Sequence, residues 1–306
     1  MRSVPASVCN DFFMTFRGDV SRSGGSARKG GGGRGMAVGG GIGGLLLVGL
    51  FILLGGNPSQ IDEVLGGGQG QVESGEAGNF DHCQTGEDAN NYDDCRLYYT
   101  SFSVNEMWAA VLPAQANIEY VEPTLAIFEN TTQSGCGLAS ASTGPFYCPT
   151  DQDAYFDLSF FEQMRQFGAE NAPLAQMYIV AHEFGHHVQN LEGTLGLSDY
   201  NNPGEDSNAV KIELQADCYA GIWANHADKG ENRMLEPITE SELDSALTAA
   251  AAVGDDNIQE RSGGEVNPES WTHGSSQQRK DAFLAGYNTG QMSSCDFLER
   301  GVYQDS

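Results

Sequence analysis

Two histidines four positions apart, with a glutamate directly after the first, are the residues of this chain best suited to chemistry. His182, Glu183 and His186 stand in the sequence HEFGH. On a helix, positions i and i+4 share a face, so both imidazoles can reach one ion while Glu183 lies beside the remaining coordination position. This spacing is typical of a zinc site that activates water, and it gives Glu183 the position of a general base.

Two imidazoles do not complete such a site, because zinc that acts on a substrate usually has three protein ligands and one open position. Glu213 and Asp217 follow in the sequence ELQAD. We predict that Glu213 is the third ligand and that Asp217 accepts a hydrogen bond from the far nitrogen of a liganding histidine. The alternative, a pair of solvated helix acids, is less favoured because their neighbours are apolar.

A different third ligand is excluded by the sequence. Some zinc sites extend the motif with a glycine and a third histidine, at positions that here hold Gln189 and Glu192. Without the glycine the chain does not turn back toward the metal. We therefore expect the helix to continue and Glu192 to point away from the ion.

A further histidine stands just before a predicted helix. His273 precedes Ser275 and Gln278, which form a capping pair. Hydrolysis at zinc needs a donor near the developing oxyanion, and we predict this role for His273. An exposed loop histidine is the alternative. For Arg279 we leave two roles open, orienting a carboxylate or substrate and forming a structural salt bridge. His187 lies on a different helix face from His186 and is expected either to support a ligand or to pack.

The ligands must come from two neighbouring helices, and both are predicted. Pro173 opens a helix through about residue 191, and Gly193 is a natural stop. A polar loop at 194–208 leads to a second helix over about 209–227. The other predicted elements are helices at 103–115, 159–166, 240–253 and 276–287 and strands at 124–129 and 154–158. The helix at 240–253 is predicted to begin at a capping box of Thr239 and Glu242.

The composition limits the function. With 15 Lys and Arg against 42 Asp and Glu, the 306-residue chain has a formal net charge of -27. Nucleic-acid binding needs a basic face, so nucleic acid is excluded as a partner. The 40% apolar residues suffice for a core. The charge is uneven, because residues 1–35 hold six basic and two acidic residues.

An apolar segment follows this basic stretch. Residues 36–54 carry no charge, and as a helix they would span about 28 Å, close to the hydrocarbon thickness of a bilayer. A cleaved signal peptide is the alternative, but no Ala-x-Ala site follows. The positive-inside rule then predicts a single-pass protein of the cell membrane, with residues 1–35 as a cytoplasmic tail. Residues 55–80 are predicted to be a flexible linker, and residues 81–303 an extracytoplasmic domain.

The cysteines agree with an oxidising compartment. Of the seven cysteines, Cys9 lies before the apolar segment and six lie after it, and an even number is typical of disulfide-bonded domains. Six cysteines allow 15 pairings, among which the sequence does not choose. We favour two local pairs that flank short polar loops, which leaves a third pair: Cys83–Cys95, Cys136–Cys148 and Cys218–Cys295.

Together these residues resemble a known family, the bacterial neutral zinc metallopeptidases, which are single-span membrane proteins of the gluzincin group. The resemblance covers about residues 14–300, and the start at Met14 looks like the family's start. It is carried by the segments 134–137 (SGCG), 144–149 (GPFYCP), 157–161 (DLSFF), 182–189 (HEFGHHVQ), 213–221 (ELQADCYAG) and 272–275 (THGS).

The resemblance implies an α+β, zincin-like domain with an active-site helix beneath a small mixed sheet, following one N-terminal transmembrane helix. It implies a Zn²⁺-dependent peptidase with a protein or peptide substrate, bound along an edge strand that would run through residues 155–158. A zinc-binding scaffold without peptidase activity is the alternative function. The physiological substrate, the preference for internal or terminal bonds and the oligomeric state stay open.

Overall fold

The computed structural model describes residues 15–21, 27–29, 80–140, 143–161, 172–229, 233–261 and 263–304. The predicted membrane span 36–54, nearly all of the predicted linker 55–80 and most of the predicted helix 159–166 lie outside these residues. Within the described ranges, no helix has both the length and the apolar character needed to cross a bilayer.

Helices make up most of the described structure. The α-helices among the described residues are α1 (Gly86–Asn91), α2 (Asp93–Ala116), α3 (Pro173–Glu192), α4 (Asn208–Lys229), α5 (Glu240–Ala252), α6 (Asp255–Arg261) and α7 (Ser276–Thr289). Two of them, α3 and α4, hold the candidate site.

The strands form a mixed sheet and a separate hairpin. They are β1 (Ala27–Lys29), β2 (Thr124–Phe128), β3 (Thr131–Ser134), β4 (Gly137–Ser140), β5 (Phe146–Cys148) and β6 (Asp153–Asp157). The sheet has the order β1-β2-β6-β5, in which β1, β2 and β6 are parallel and β5 is antiparallel to β6. Strands β3 and β4 pair with each other. This α+β arrangement agrees with a zincin-like domain.

The predicted substrate-binding edge is wrong. Residues 155–157 belong to β6, which pairs with β2 on one side and β5 on the other. Strand β5 pairs with residues 153–155 of β6, so at Tyr155 the backbone has a partner on each side, and β5 instead of β6 is the end of the sheet. The sequence missed β5 because this three-residue strand is too short for an alternating pattern. Among the described strands, β5 and β1 form the two ends of the sheet.

The helix boundaries were predicted well where a capping signal marks them. Gly193 ends α3 in a left-handed conformation, and the capping boxes Thr239–Glu242 and Ser275–Gln278 start α5 and α7, as predicted. Helix α2 begins ten residues before its predicted start at 103. Its first turns are buried on several sides, so the sequence lacks the amphipathic period that would reveal them.

The core lies where α2, α3 and α4 meet. Trp108 of α2 packs edge-on against Tyr219 of α4, with ring centroids 5.0 Å apart, and Phe184 of α3 is fully buried. The three favoured disulfides are confirmed, since the structure pairs Cys83–Cys95, Cys136–Cys148 and Cys218–Cys295.

Residues 15–21 and 27–29, which were predicted to be part of a cytoplasmic tail, pack on this domain. Phe16 is fully buried and forms an antiparallel bridge with Leu235. Residues 27–29 form β1 beside β2. The described part of the N-terminal region is therefore continuous with the fold that holds the helices of the site.

Candidate metal and catalytic site

Helices α3 and α4 cross at the motif itself. Gly185, the fourth residue of HEFGH, faces Ala216, and a β-carbon at Gly185 would lie 3.1 Å from the Cα and the carbonyl oxygen of Ala216. That distance is too short for a side chain without some movement of the backbone. The glycine therefore allows the close approach that brings the residues of α4 to those of α3.

Three candidate ligand atoms meet at this crossing. His182 Nε2 lies 3.4 Å from one carboxylate oxygen of Glu213, and His186 Nε2 lies 3.7 Å from the other. These separations are close to the edge of a tetrahedral zinc site, about 3.3 Å for ligands at 2.0–2.1 Å. All three residues are buried. Neither Nε2 atom has a hydrogen-bond partner among the described residues, as expected for lone pairs directed at a metal.

Asp217 orients His182 through the ring nitrogen that faces away from Glu213. Its Oδ1 lies 2.8 Å from His182 Nδ1, which directs Nε2 toward Glu213. Burial alone would lower the pKa of His182, but Asp217, together with Glu213, raises it to about 10. A carboxylate that orients a histidine and makes it more basic strengthens it as a ligand.

Asp217 is in turn paired with a buried arginine. Arg279 of α7 donates from Nε and Nη2 to the two oxygens of Asp217, at 2.8 and 2.9 Å. Burial opposes the charge, yet Arg279 holds the pKa of Asp217 below its ordinary value. Tyr178 also hydrogen-bonds to Asp217. The structure shows both roles left open for Arg279, because its buried salt bridge with Asp217 also orients that carboxylate.

The second histidine, His186, is oriented by Gln189. The sequence pattern showed only that Gln189 replaces the glycine of the extended motif. Gln189 Oε1 lies 2.8 Å from His186 Nδ1, one turn further along α3. The Gln189 amide also donates to the carbonyl of Ile212 on α4. The amide thus fixes the imidazole and ties the two helices together. The spacing of three residues is the signal that could have found it.

Glu183 is directed toward the same place from the next position of α3. It is buried, the backbone of Tyr147 on β5 lies close enough to oppose the rise in its pKa, and its Oε2 has no partner among the described residues. Burial raises the pKa of Glu183, against the opposing effect of the two histidines. A carboxyl whose pKa is raised toward neutral is suited to accepting a proton and giving it back.

His273 lies near this group and is fixed by an acid that the sequence did not reveal. Its Nδ1 lies 3.0 Å from Asp255 Oδ1, while its buried Nε2 has no partner among the described residues. The other oxygen of Asp255 accepts the backbone N–H groups of Thr272, His273 and Gly274. Burial would raise the pKa of Asp255, but the contacts with His273 hold it below its ordinary value.

The structure adds one more residue to this group. Tyr200, in the loop between α3 and α4, lies near enough to Glu213 and Glu183 that their charges add to the effect of burial in raising the pKa of its phenol. No sequence motif marks it, because loop residues have no period to read.

Other polar residues of α3 lie away from the ligand group. His187 is buried between the hydroxyl of Tyr147 and the backbone carbonyl of Val121, so it packs as predicted. Glu192 accepts a hydrogen bond from Tyr219, which agrees with its predicted direction away from the ion. His82, which precedes α1, also lies outside the ligand group and pairs with Asp94.

Comparison with known proteins identifies the class that this site defines. Residues 17–298 match the family described as "Putative neutral zinc metallopeptidase". The match covers most of the chain, so the chain belongs to this family of zinc peptidases. The family implies zinc, and the donor set of two imidazoles and one carboxylate fits that metal.

Relatives are found in distant bacteria. The uncharacterized protein Rv2575 of Mycobacterium tuberculosis is 46% identical over 220 residues, which cover 70% of this chain and 73% of that protein. The uncharacterized protein YpfJ of Escherichia coli K12 is 39% identical over 189 residues, 60% of this chain and 64% of that protein. No solved structure matches the chain.

Proposed function

We propose that this protein is a zinc-dependent peptidase that hydrolyses peptide bonds in proteins or peptides. The observation that carries the proposal is the meeting of three buried ligand atoms, from His182, His186 and Glu213, beside the carboxyl of Glu183. Among the described residues, no fourth histidine, cysteine or acid joins these three. A structural zinc site usually has four protein ligands, so the set of three favours hydrolysis over a zinc-binding scaffold.

The chain's own residues then divide the chemistry. When held by His182, His186 and Glu213, zinc lowers the pKa of a bound water and polarises a carbonyl. Glu183 takes the proton as the water attacks the peptide carbonyl, and returns it to the leaving amine.

His273 is positioned to stabilise the oxyanion. Because Asp255 fixes Nδ1, the ring is oriented with Nε2 available to a substrate. A donor fixed before the reaction stabilises developing negative charge without reorganising during the step.

Strand β5 replaces the residues 155–158 as the proposed substrate edge. It is an end of the sheet, and its central residue, Tyr147, hydrogen-bonds to His187 and Asn190 of α3 and lies near Glu183. An extended peptide that paired with β5 would have its carbonyl groups close to the general base. This geometry supports a peptide as the substrate.

The test compares two matched substitutions in one helix. Glu183→Gln is expected to retain zinc, measured by elemental analysis, and to lose casein hydrolysis by at least about 10²-fold, because the proton acceptor is gone. Glu192→Gln makes the same change in a buried carboxyl of α3 outside the site and is expected to keep activity. Glu213→Ala is expected to lose zinc.

Two results would contradict the proposal. Full hydrolysis by Glu183→Gln would remove Glu183 from the mechanism. A zinc-loaded wild-type protein that cleaves neither casein nor unfolded peptides would favour the scaffold.

We also propose that residues 36–54 attach the protein to a membrane. Their length and lack of charge support this, and three disulfides support an oxidising compartment for the domain. The attachment is tested by extraction of membranes at alkaline pH. Full release of the protein into the supernatant would contradict an integral anchor.

A further inference from the structure

The segment before the apolar stretch is part of the folded core. Phe16 has 0% of its surface exposed, and its ring lies 5.8 Å from that of Tyr99 on α2. The chain around it pairs with residues 234–236 through two backbone hydrogen bonds of 2.9 Å, Arg17 N–H to Met234 and Glu236 N–H to Thr15. A buried aromatic ring with backbone pairing is a core element and not a loosely attached tail.

Asn90 and Gly86 form a site on the domain that fits this segment. The side-chain amide of Asn90 makes two hydrogen bonds to the backbone of Phe16, at 2.9 and 2.8 Å. Gly86 donates its N–H to the carbonyl of Val20 at 2.8 Å. A β-carbon at Gly86 would lie 2.0 Å from the carbonyl oxygen of Arg17, so only glycine leaves room for the segment at this position.

Charge also matches between the segment and the domain. Arg28 of β1 forms an ion pair with Asp153 of β6 and donates to the hydroxyl of Tyr155 at 3.1 Å. Its guanidinium lies 5.7 Å from the centre of the Tyr155 ring. In a chain of net charge -27, a basic segment on an acidic domain is electrostatically favoured.

These contacts conflict with the topology expected from charge alone. If residues 36–54 crossed the membrane once, residues before and after them would lie on opposite sides. Phe16 and Tyr99 are in contact, so they share one side. We propose that residues 15–21 and 27–29 belong to the catalytic domain and lie on its side of the membrane, where they complete its core. The proposal does not depend on peptidase activity.

Thiol labelling of the full-length protein tests the side directly. In a Cys9→Ser background, one variant carries Gly18→Cys and the other Val266→Cys. Gly18 is exposed, with no heavy atom within 4 Å of the position that a β-carbon would take, and Val266 is exposed in the catalytic domain. The six remaining native cysteines are disulfide-bonded. Spheroplasts are treated with a membrane-impermeant maleimide before and after permeabilisation, and detergent-solubilised protein shows that both thiols react.

The two thiols are expected to behave alike. Labelling of both in intact spheroplasts, or of both only after permeabilisation, would support one shared side. Labelling of one thiol in intact spheroplasts and of the other only after permeabilisation would overturn the proposal.

A stability measurement tests whether Phe16 packs in the core. Phe16→Ala in the purified full-length protein is expected to lower the melting temperature by about 10 °C, because a large buried side chain is lost. Phe16→Leu fills part of the space and is expected to cost less. An unchanged melting temperature for Phe16→Ala would show that Phe16 is not packed in the core and would contradict the proposal.

Discussion

Asp255 fixes Nδ1 of His273, while Nε2 has no partner among the described residues. We therefore expect His273 to act on the oxyanion through Nε2. His273→Ala is expected to lower kcat by about 10²–10³-fold, the loss typical of removing one oxyanion donor. Because His273 is not among the three meeting ligand atoms, zinc content is expected to stay unchanged. Steady-state kinetics and elemental analysis check the two expectations.

His226→Ala is the control, since His226 lies on α4 and contacts the region around Gly290 instead of the site. Loss of zinc together with activity in His273→Ala would make His273 a ligand and would contradict the assignment.

For individual residues, the sequence revealed those that stand in the short motifs HEFGH and ELQAD, and it missed or left open other contacts between distant residues. His182, His186 and Glu183 lie within about one helical turn, so their relation follows from the 3.6-residue period. Asp255 is separated from His273 by 18 residues and Arg279 from Asp217 by 62. No period relates such pairs, because only the packing of α4, α6 and α7 brings them together.

The crossing of α3 and α4 is the element on which the site depends. Gly185→Ala is expected to destabilise the protein by about 1–3 kcal/mol, since the added methyl group meets the backbone of Ala216 in a packed crossing. The same displacement moves Glu213 relative to the histidines, so zinc affinity is expected to fall. Chemical denaturation and chelator competition measure the two effects.

Gly196→Ala is the matched control for this substitution. Nothing lies within 4 Å of a β-carbon at Gly196, and both stability and zinc affinity are expected to change little. Equal effects of the two substitutions would show that the close approach at Gly185 is unimportant.

Element prediction succeeded where sequence chemistry marks an end and failed where burial removes the pattern. Proline, glycine and capping pairs defined α3, α5 and α7 because they act within a few residues. The early turns of α2 and the short strand β5 have no such signal. Their stability comes from neighbours that are far away in the sequence, and so the edge of the sheet was assigned to the wrong strand.

For the whole molecule, the disulfide Cys218–Cys295 closes the longest loop of the three. It joins α4 to the segment after α7 across 77 residues, whereas Cys136–Cys148 spans 12. Loop-closure entropy gives about 4.5 kcal/mol for the long loop and about 3 kcal/mol for the short one. The double variant Cys218→Ala/Cys295→Ala is therefore expected to lose more unfolding free energy than Cys136→Ala/Cys148→Ala in urea denaturation. The reverse order would indicate that local strain or packing outweighs chain entropy.

The uneven charge of the chain can be explained in two ways, as a membrane-topology signal or as an intramolecular contact. The sequence alone assigns the basic residues before the apolar stretch to a cytoplasmic tail. The structure places Arg28 on the acidic domain, beside Asp153. The same charges that predict an orientation in the membrane also fit an intramolecular contact, and composition cannot distinguish the two.

The sequence by itself indicated the candidate metal ligands, the candidate general base, the family and most helix ends, because short motifs mark them. Tertiary structure alone decided that Glu213 lies beside His182 and His186, which strand is the end of the sheet, which histidine Asp217 orients, which acid orients His273, and where residues 15–21 and 27–29 lie. These features depend on contacts between residues far apart in the chain, and such contacts form only when burial of the shared core brings the helices and strands together.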